Sequence, residues 1–190
     1  EVLEYRYMNK LLILIAILFP FLYKYSFVIT NQYTQIPIIL SYINPEYLAN
    51  DWYVQASKEF GPRTFFALYI AFWDKFLGLP LTFYLHYLLT IGLTFWAGFL
   101  LSYRLFNDKK AAILASLTLL FISSFTLGGN LLITRDFTVT QLALSLSLLA
   151  IIKMIDGKYF LSAGLFALAT YFHPLIGPES ALISYFSLSI

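Results

Sequence analysis

The chain has 190 residues, of which 60% are hydrophobic and only 12% charged, with a formal net charge of +2. This composition, at a mean hydropathy of +0.76, excludes an ordinary soluble domain and points to an integral membrane protein. The lack of cysteine removes disulfides, thiolate metal sites and cysteine nucleophiles, and no basic stripe with interleaved aromatics points to nucleic acid.

Taken in chain order, the apolar runs predict an all-α, polytopic transmembrane helix bundle. Spans are expected over 9–28, 81–103, 111–127, 137–155 and 159–172, with a further apolar segment from 181. The first run continues past Pro20 to Ile29 without a small-residue cleavage site, so it reads as an uncleaved helix rather than a signal peptide. Pro20 predicts a kink, and Lys24 in the outer half would snorkel to the surface. Small residues, among them Gly164 in 159–172 and Gly98 in 81–103, predict close helix approach. The last run, ALISYFSLSI, is about half of the ~20 residues a span needs. A single membrane domain over 1–190 is therefore expected to be the N-terminal portion of a longer chain.

The run 64–79 is short of that same ~20 residues and carries Asp74 and Lys75 near its end. If it does not cross, three basic clusters fall together on the cytoplasmic face: Arg6 with Lys10, Arg104 with Lys109 and Lys110, and Lys153 with Lys158. If it crosses, the most basic loop, RLFNDKK, falls outside. The positive-inside rule favours the first arrangement, with a cytoplasmic N-terminus in a plasma (inner) membrane. Residues 31–79 then form one long external loop with interfacial helices, and Tyr33, Tyr42, Tyr47, Trp52, Tyr53, Tyr69 and Trp73 anchor it at headgroup level.

Polar residues gather at three junctions on that external face. The first, 45–63, holds Glu46, Asp51, Lys58, Glu59 and Arg63, and its turns at Asn44-Pro45 and Gly61-Pro62 bracket a short helix. A carboxylate held against a membrane gains basicity by partial desolvation and suits proton removal from a hydroxyl, although a solvated loop accounts for the same residues. At the second junction, after Gly128-Gly129-Asn130, Asp136 is placed to cap a helix from Phe137, while Arg135 presents planar donors that match phosphate. In the third, TYFHPLIGPE, two prolines argue against a regular helix through the turn, and irregular backbone at membrane depth tends to line a cavity. His173 there could move a proton when neutral or pair with phosphate when charged. No metal motif is present; one His and scattered carboxylates could hold a divalent cation, but nothing requires it. Nucleotide loops, HExxH and nucleophile elbows are absent.

The order of these features resembles the N-terminal half of the GT-C membrane glycosyltransferase superfamily, which includes protein O-mannosyltransferases and lipid A aminoarabinose transferases. The resemblance runs through the acidic external loop, GPRTFFALYIAFWDKFLGLP, LLSYRLFNDKKAAILASLTLLF, TRDFTVTQLALSLSLLA and GKYFLSAGLFALATYFHP. It implies inverting transfer of a sugar from a polyprenyl-phosphate-linked donor to an acceptor hydroxyl; the sequence itself requires no cofactor. By the same resemblance Asp51, and Glu46 after it, match the base; Arg135 matches the phosphate contact, with Arg63, His173 and Asp136 as further binding residues. The adjacent Asp-Glu pair of the mannosyltransferases is absent. Two other classes stay open: a transporter or channel subunit, and a catalytically inactive membrane assembly protein.

Overall fold

The protein is described by a computed structural model over residues 14, 17–121 and 133–188. Every regular element among the described residues is an α-helix. The first, α1, is described as helical over 17–23. It is followed by α2 (Gln32–Ile43), α3 (Trp52–Lys58), α4 (Thr64–Leu77), α5 (Leu79–Phe106), α6 (Lys109–Phe121), α7 (Val139–Ile155), α8 (Tyr159–Phe172) and α9 (Ile176–Leu188).

Among the described residues one helix, the 28-residue α5, is long and apolar enough to cross a membrane by length and composition. At 1.5 Å per residue the apolar α7 and α8 run roughly 26 and 21 Å, below a hydrocarbon core of about 30 Å. Gly78, at φ 75°, lets the chain turn directly from α4 into α5, with Pro80 in the opening turn of the new helix. Asn107 ends α5 in the left-handed conformation, and Asp108 accepts from the Lys110 and Ala111 N–H groups to start α6.

Contacts at successive levels fix the helix directions. Phe83 packs on Phe137, the Thr94 and Ser145 hydroxyls are 2.7 Å apart, and Arg104 pairs with Asp156 at 3.0 Å. Thus α5 and α7 run the same way. The tight turns after α5 and α7 send α6 and α8 back against them, with the Ser162 hydroxyl donating to Ala150 O. One end of the bundle carries Arg104, Lys110, Lys153, Asp156 and Lys158; the other collects the starts of α2, α4, α5 and α7 and the end of α8.

An aromatic core fills that second end: Phe19, Phe66, Phe83, Tyr87, Phe95 and Phe137 are all buried. Across it lies α4, which meets α5 near the latter's start. The Tyr69 hydroxyl is 2.9 Å from His86 Nε2, and His86 Nδ1 is 2.7 Å from Thr82 O. The carbonyl accepts from Nδ1–H, so Nε2 accepts from Tyr69. His86 is thereby satisfied as a tie between helices. The sequence signal for it, not used above, is an ionisable residue inside an apolar span.

Three boundaries differ from expectation. The described part of the first run leaves the helix at Lys24, not Val28: Lys24 takes φ 54°, and Tyr25 N–H bonds Pro20 O, the bond pattern of a Schellman ending. The last helix starts at Ile176, not near 181, because Pro178 falls in the first turn, where a missing N–H and a fixed φ do no harm. Helix α7 starts at Val139, two residues late, because 133–138 is held by tertiary hydrogen bonds. The ends of the runs 9–28 and 111–127, with Arg6, Lys10 and Gly128-Gly129-Asn130, lie outside the described residues.

Candidate functional site

Two hollows, mostly apolar but each bordered by basic side chains, open at the aromatic end of the bundle. The first, of 560 Å³, is lined by Lys24, Thr30, Thr134, Arg135 and Asp136 together with apolar Leu22 and Ile133. Its walls are two irregular segments laced together. Ser26 N–H donates to Arg135 O at 2.9 Å, and the Thr30 hydroxyl donates to the Asp136 carboxylate at 2.5 Å. Fully buried Gln32 clamps both, its Oε1 accepting from Val28 N–H and its Nε2 donating to Phe137 O. Tyr87 of α5 donates to Thr134 O from beneath.

The segment holds its shape against local preference. Lys24, Val28 and Thr30 all have φ between 48° and 60°, a region costly for β-branched residues. Such strain persists where surrounding bonds over-determine it, and it gathers at ligand sites. Here those bonds aim the exposed Lys24 and Arg135 side chains at one space. That Lys24 and Arg135 border one hollow is decided by the tertiary structure; the sequence alone marks Lys24 only as a snorkelling residue.

Asp136 corrects an expectation. It does not cap a helix from Phe137; the N-cap of α7 is Thr138, and Asp136 is 1% exposed with its carboxylate committed to Thr30. The capping pattern of a short acid before an apolar run was local, and a partner far along the chain outbid it.

The second hollow, of 440 Å³, brings Arg63 and His173 together with Asn31, Gln35 and Thr140. Arg63 Nη1 donates to the Tyr53 hydroxyl at 3.0 Å and to Thr34 Oγ1 at 3.3 Å, joining α2, α3 and the start of α4. The Ile176 N–H donates to His173 Nδ1 at 3.4 Å, which leaves Nε2 to carry the ring proton. Burial lowers the His173 pKa below its ordinary value, and Glu179 pulls it part of the way back.

The two acids expected to act as base stand apart from both hollows. Asp51 is the N-cap of α3, its Oδ1 accepting from Val54 N–H at 2.9 Å, and it is exposed. Glu46 is exposed in the turn before it, where its own N–H donates to Asn44 Oδ1. The aromatics of the long loop divide: Trp52 is 82% exposed and Tyr33 is also open, whereas the Tyr42 hydroxyl donates to Lys58 O and Tyr69 to His86. No group of three or more potential metal ligands occurs among the described residues. Set against known proteins, the chain matches no family model, no curated protein and no solved structure.

Proposed function

We propose that this is a multi-pass membrane glycosyltransferase of GT-C-like fold that moves a sugar from a polyprenyl-phosphate-linked donor to an acceptor hydroxyl at the external face of the inner membrane. The observation that carries the reading is the hollow where Lys24 and Arg135 meet beside exposed apolar Leu22. Lys24 and Arg135 offer a phosphate its counter-charge and donors, the hydroxyls of Thr30 and Thr134 being spent on Asp136, and the apolar rim offers a prenyl chain a path into lipid. The separation of this end from the Arg104, Lys110, Lys153 and Lys158 end agrees with a cytoplasmic placement of the latter. The position of α4 across the start of α5 agrees with an interfacial helix.

In this reading the acceptor oxygen attacks the anomeric carbon, the bond from that carbon to the phosphate oxygen breaks, and the leaving phosphate is stabilised by Arg135 and Lys24. The acceptor proton passes to the Asp51 oxygen that does not cap α3, which requires the acceptor to reach from the Lys24–Arg135 hollow to the start of α3. Crosslinking with a photoreactive, labelled polyprenyl phosphate in detergent tests the donor site. Labelling of the wild type that is lost in Arg135→Ala supports it; labelling no higher than that of an unrelated membrane protein removes it.

A second reading, an inactive membrane assembly protein, is favoured by one observation: Asp51 already has a structural task as the cap of α3. Asp51→Asn separates the two, since unchanged product formation by that variant excludes Asp51 as base.

A further inference from the structure

We propose that the Arg63–His173 hollow is a second ligand site, which takes a phosphate ester carrying a free hydroxyl, of the glycerol phosphate type. The inference does not rest on the transferase reading. Its first support is an unmet acceptor. Gln35 is 6% exposed, lines the hollow, and its Oε1 has no hydrogen-bond donor. A buried polar atom in that state costs about 1–3 kcal/mol unless something donates to it. An ionised phosphate oxygen has no hydrogen to give, so the ligand needs a hydroxyl as well as an anion.

The anion is called for by the rest of the lining. Arg63 and His173 both border the hollow and no carboxylate does. Two hydroxyls hold Arg63 through Nη1, which fixes the guanidinium and leaves its Nη2 edge for an oxyanion. His173 adds the Nε2–H donor set by its bond from Ile176. Helices α4 and α7 both begin here, just after Arg63 and at Val139-Thr140, and neither N-cap residue, Arg63 or Thr138, makes a side-chain capping bond. Two such helix starts favour negative charge. The carbonyl end of α8 opposes them, but His173 N–H bonds Ala169 O and Gly177 N–H bonds His173 O, which takes up part of it. Phe66, Val139, Phe172 and Leu175 supply an apolar wall for the carbon skeleton, and the 440 Å³ volume lies in the range of about 300–1,000 Å³ for small-molecule sites.

The same chemistry reaches the hollow as a lipid headgroup or as a free polyol phosphate. Thermal unfolding of the protein in detergent separates these sources, with dihexanoyl phosphatidylglycerol, dihexanoyl phosphatidylcholine, glycerol 3-phosphate and methyl phosphate as probes. A saturable rise in Tm with phosphatidylglycerol alone supports the headgroup, and a rise with glycerol 3-phosphate as well supports the free ester. Methyl phosphate, which lacks the alcohol, is expected to bind about tenfold more weakly than glycerol 3-phosphate, because Gln35 stays unpaired. Gln35→Leu, of similar volume and at a side chain that is not one of the partners of Arg63 Nη1, is expected to abolish that difference, and Arg63→Gln to abolish the shifts. If Arg63→Gln unfolds through loss of its ties to Tyr53 and Thr34, Gln35→Leu carries the test. No shift with either hydroxylated phosphate, an equal shift with phosphatidylcholine, or a response unchanged in Gln35→Leu overturns the proposal.

Discussion

The Thr30 hydroxyl donates to the Asp136 carboxylate across 106 positions of sequence, and this bond closes the wall of the Lys24–Arg135 hollow. It joins a residue in the left-handed region to a carboxylate that is almost wholly buried. Hydrogen bonds to charged groups contribute about 1.5–3 kcal/mol, so Asp136→Ala and Thr30→Val are each expected to destabilise by that order. Thermal unfolding in detergent measures both. Because the two remove one interaction, the double variant is expected to cost clearly less than the sum, and additivity would show that the pair does not act as a unit.

Gly177 and Gly98 are expected to respond differently to the same methyl group. A Cβ on Gly177 would stand 2.5 Å from Thr170 N and 2.8 Å from Phe166 O, which are backbone atoms of α8 that cannot step aside. A Cβ on Gly98 would meet the end of the Leu119 side chain at 2.6 Å, and that side chain can rotate. Gly177→Ala should therefore cost about 1–3 kcal/mol or more, and Gly98→Ala distinctly less. Equal losses on unfolding would contradict the close α8–α9 approach. Gly164, by contrast, faces open space and serves no such approach.

The lowered pKa of His173 has a definite sign for stability. In the folded protein the ring resists protonation, so below the ordinary value of 6.5 the unfolded chain binds more protons and the balance moves toward unfolding. Tm is expected to hold above that value and to fall as pH drops from about 7 to about 5, and His173→Asn should flatten the decline. Superimposable profiles for the two proteins would assign the acid sensitivity to another group.

A chain without cysteine invites single-cysteine mapping of the proposed topology. With an impermeant maleimide, Glu59→Cys before α4 and Lys75→Cys in its last turn are expected to label from one side of the membrane and Lys110→Cys from the other. Opposite-side labelling of Glu59→Cys and Lys75→Cys would make α4 a crossing helix and overturn the interfacial reading.

Much of the fold was legible because helices in apolar surroundings must satisfy their own backbone, so an apolar run and its breakers mark a helix locally. The run 81–103 is the centre of α5, the run 159–172 coincides with α8, and the short helix expected between Pro45 and Pro62 is α3. The site was legible only in its ingredients. Arg63, Arg135 and His173 were recognised as unusual residues at one end, but nothing in the sequence says that Arg63 meets His173 or that Lys24 meets Arg135. Gln35, the most demanding group in the second hollow, gave no signal, because an amide in a loop-like stretch is ordinary until burial leaves it without a donor.

The sequence by itself therefore determined the all-helical class, most helix positions and the gathering of charge into a few junctions, since hydropathy, proline and glycine act within one turn of the residue that carries them. Tertiary structure alone decided what those junctions do. Asp51 became a cap because Val54 lies three residues on, whereas Asp136 became a buried partner of Thr30 and not a cap. The choice between a local and a distant hydrogen bond depends on which partner the packed helices bring within 3 Å or so, and a side chain's own neighbours in sequence do not encode that.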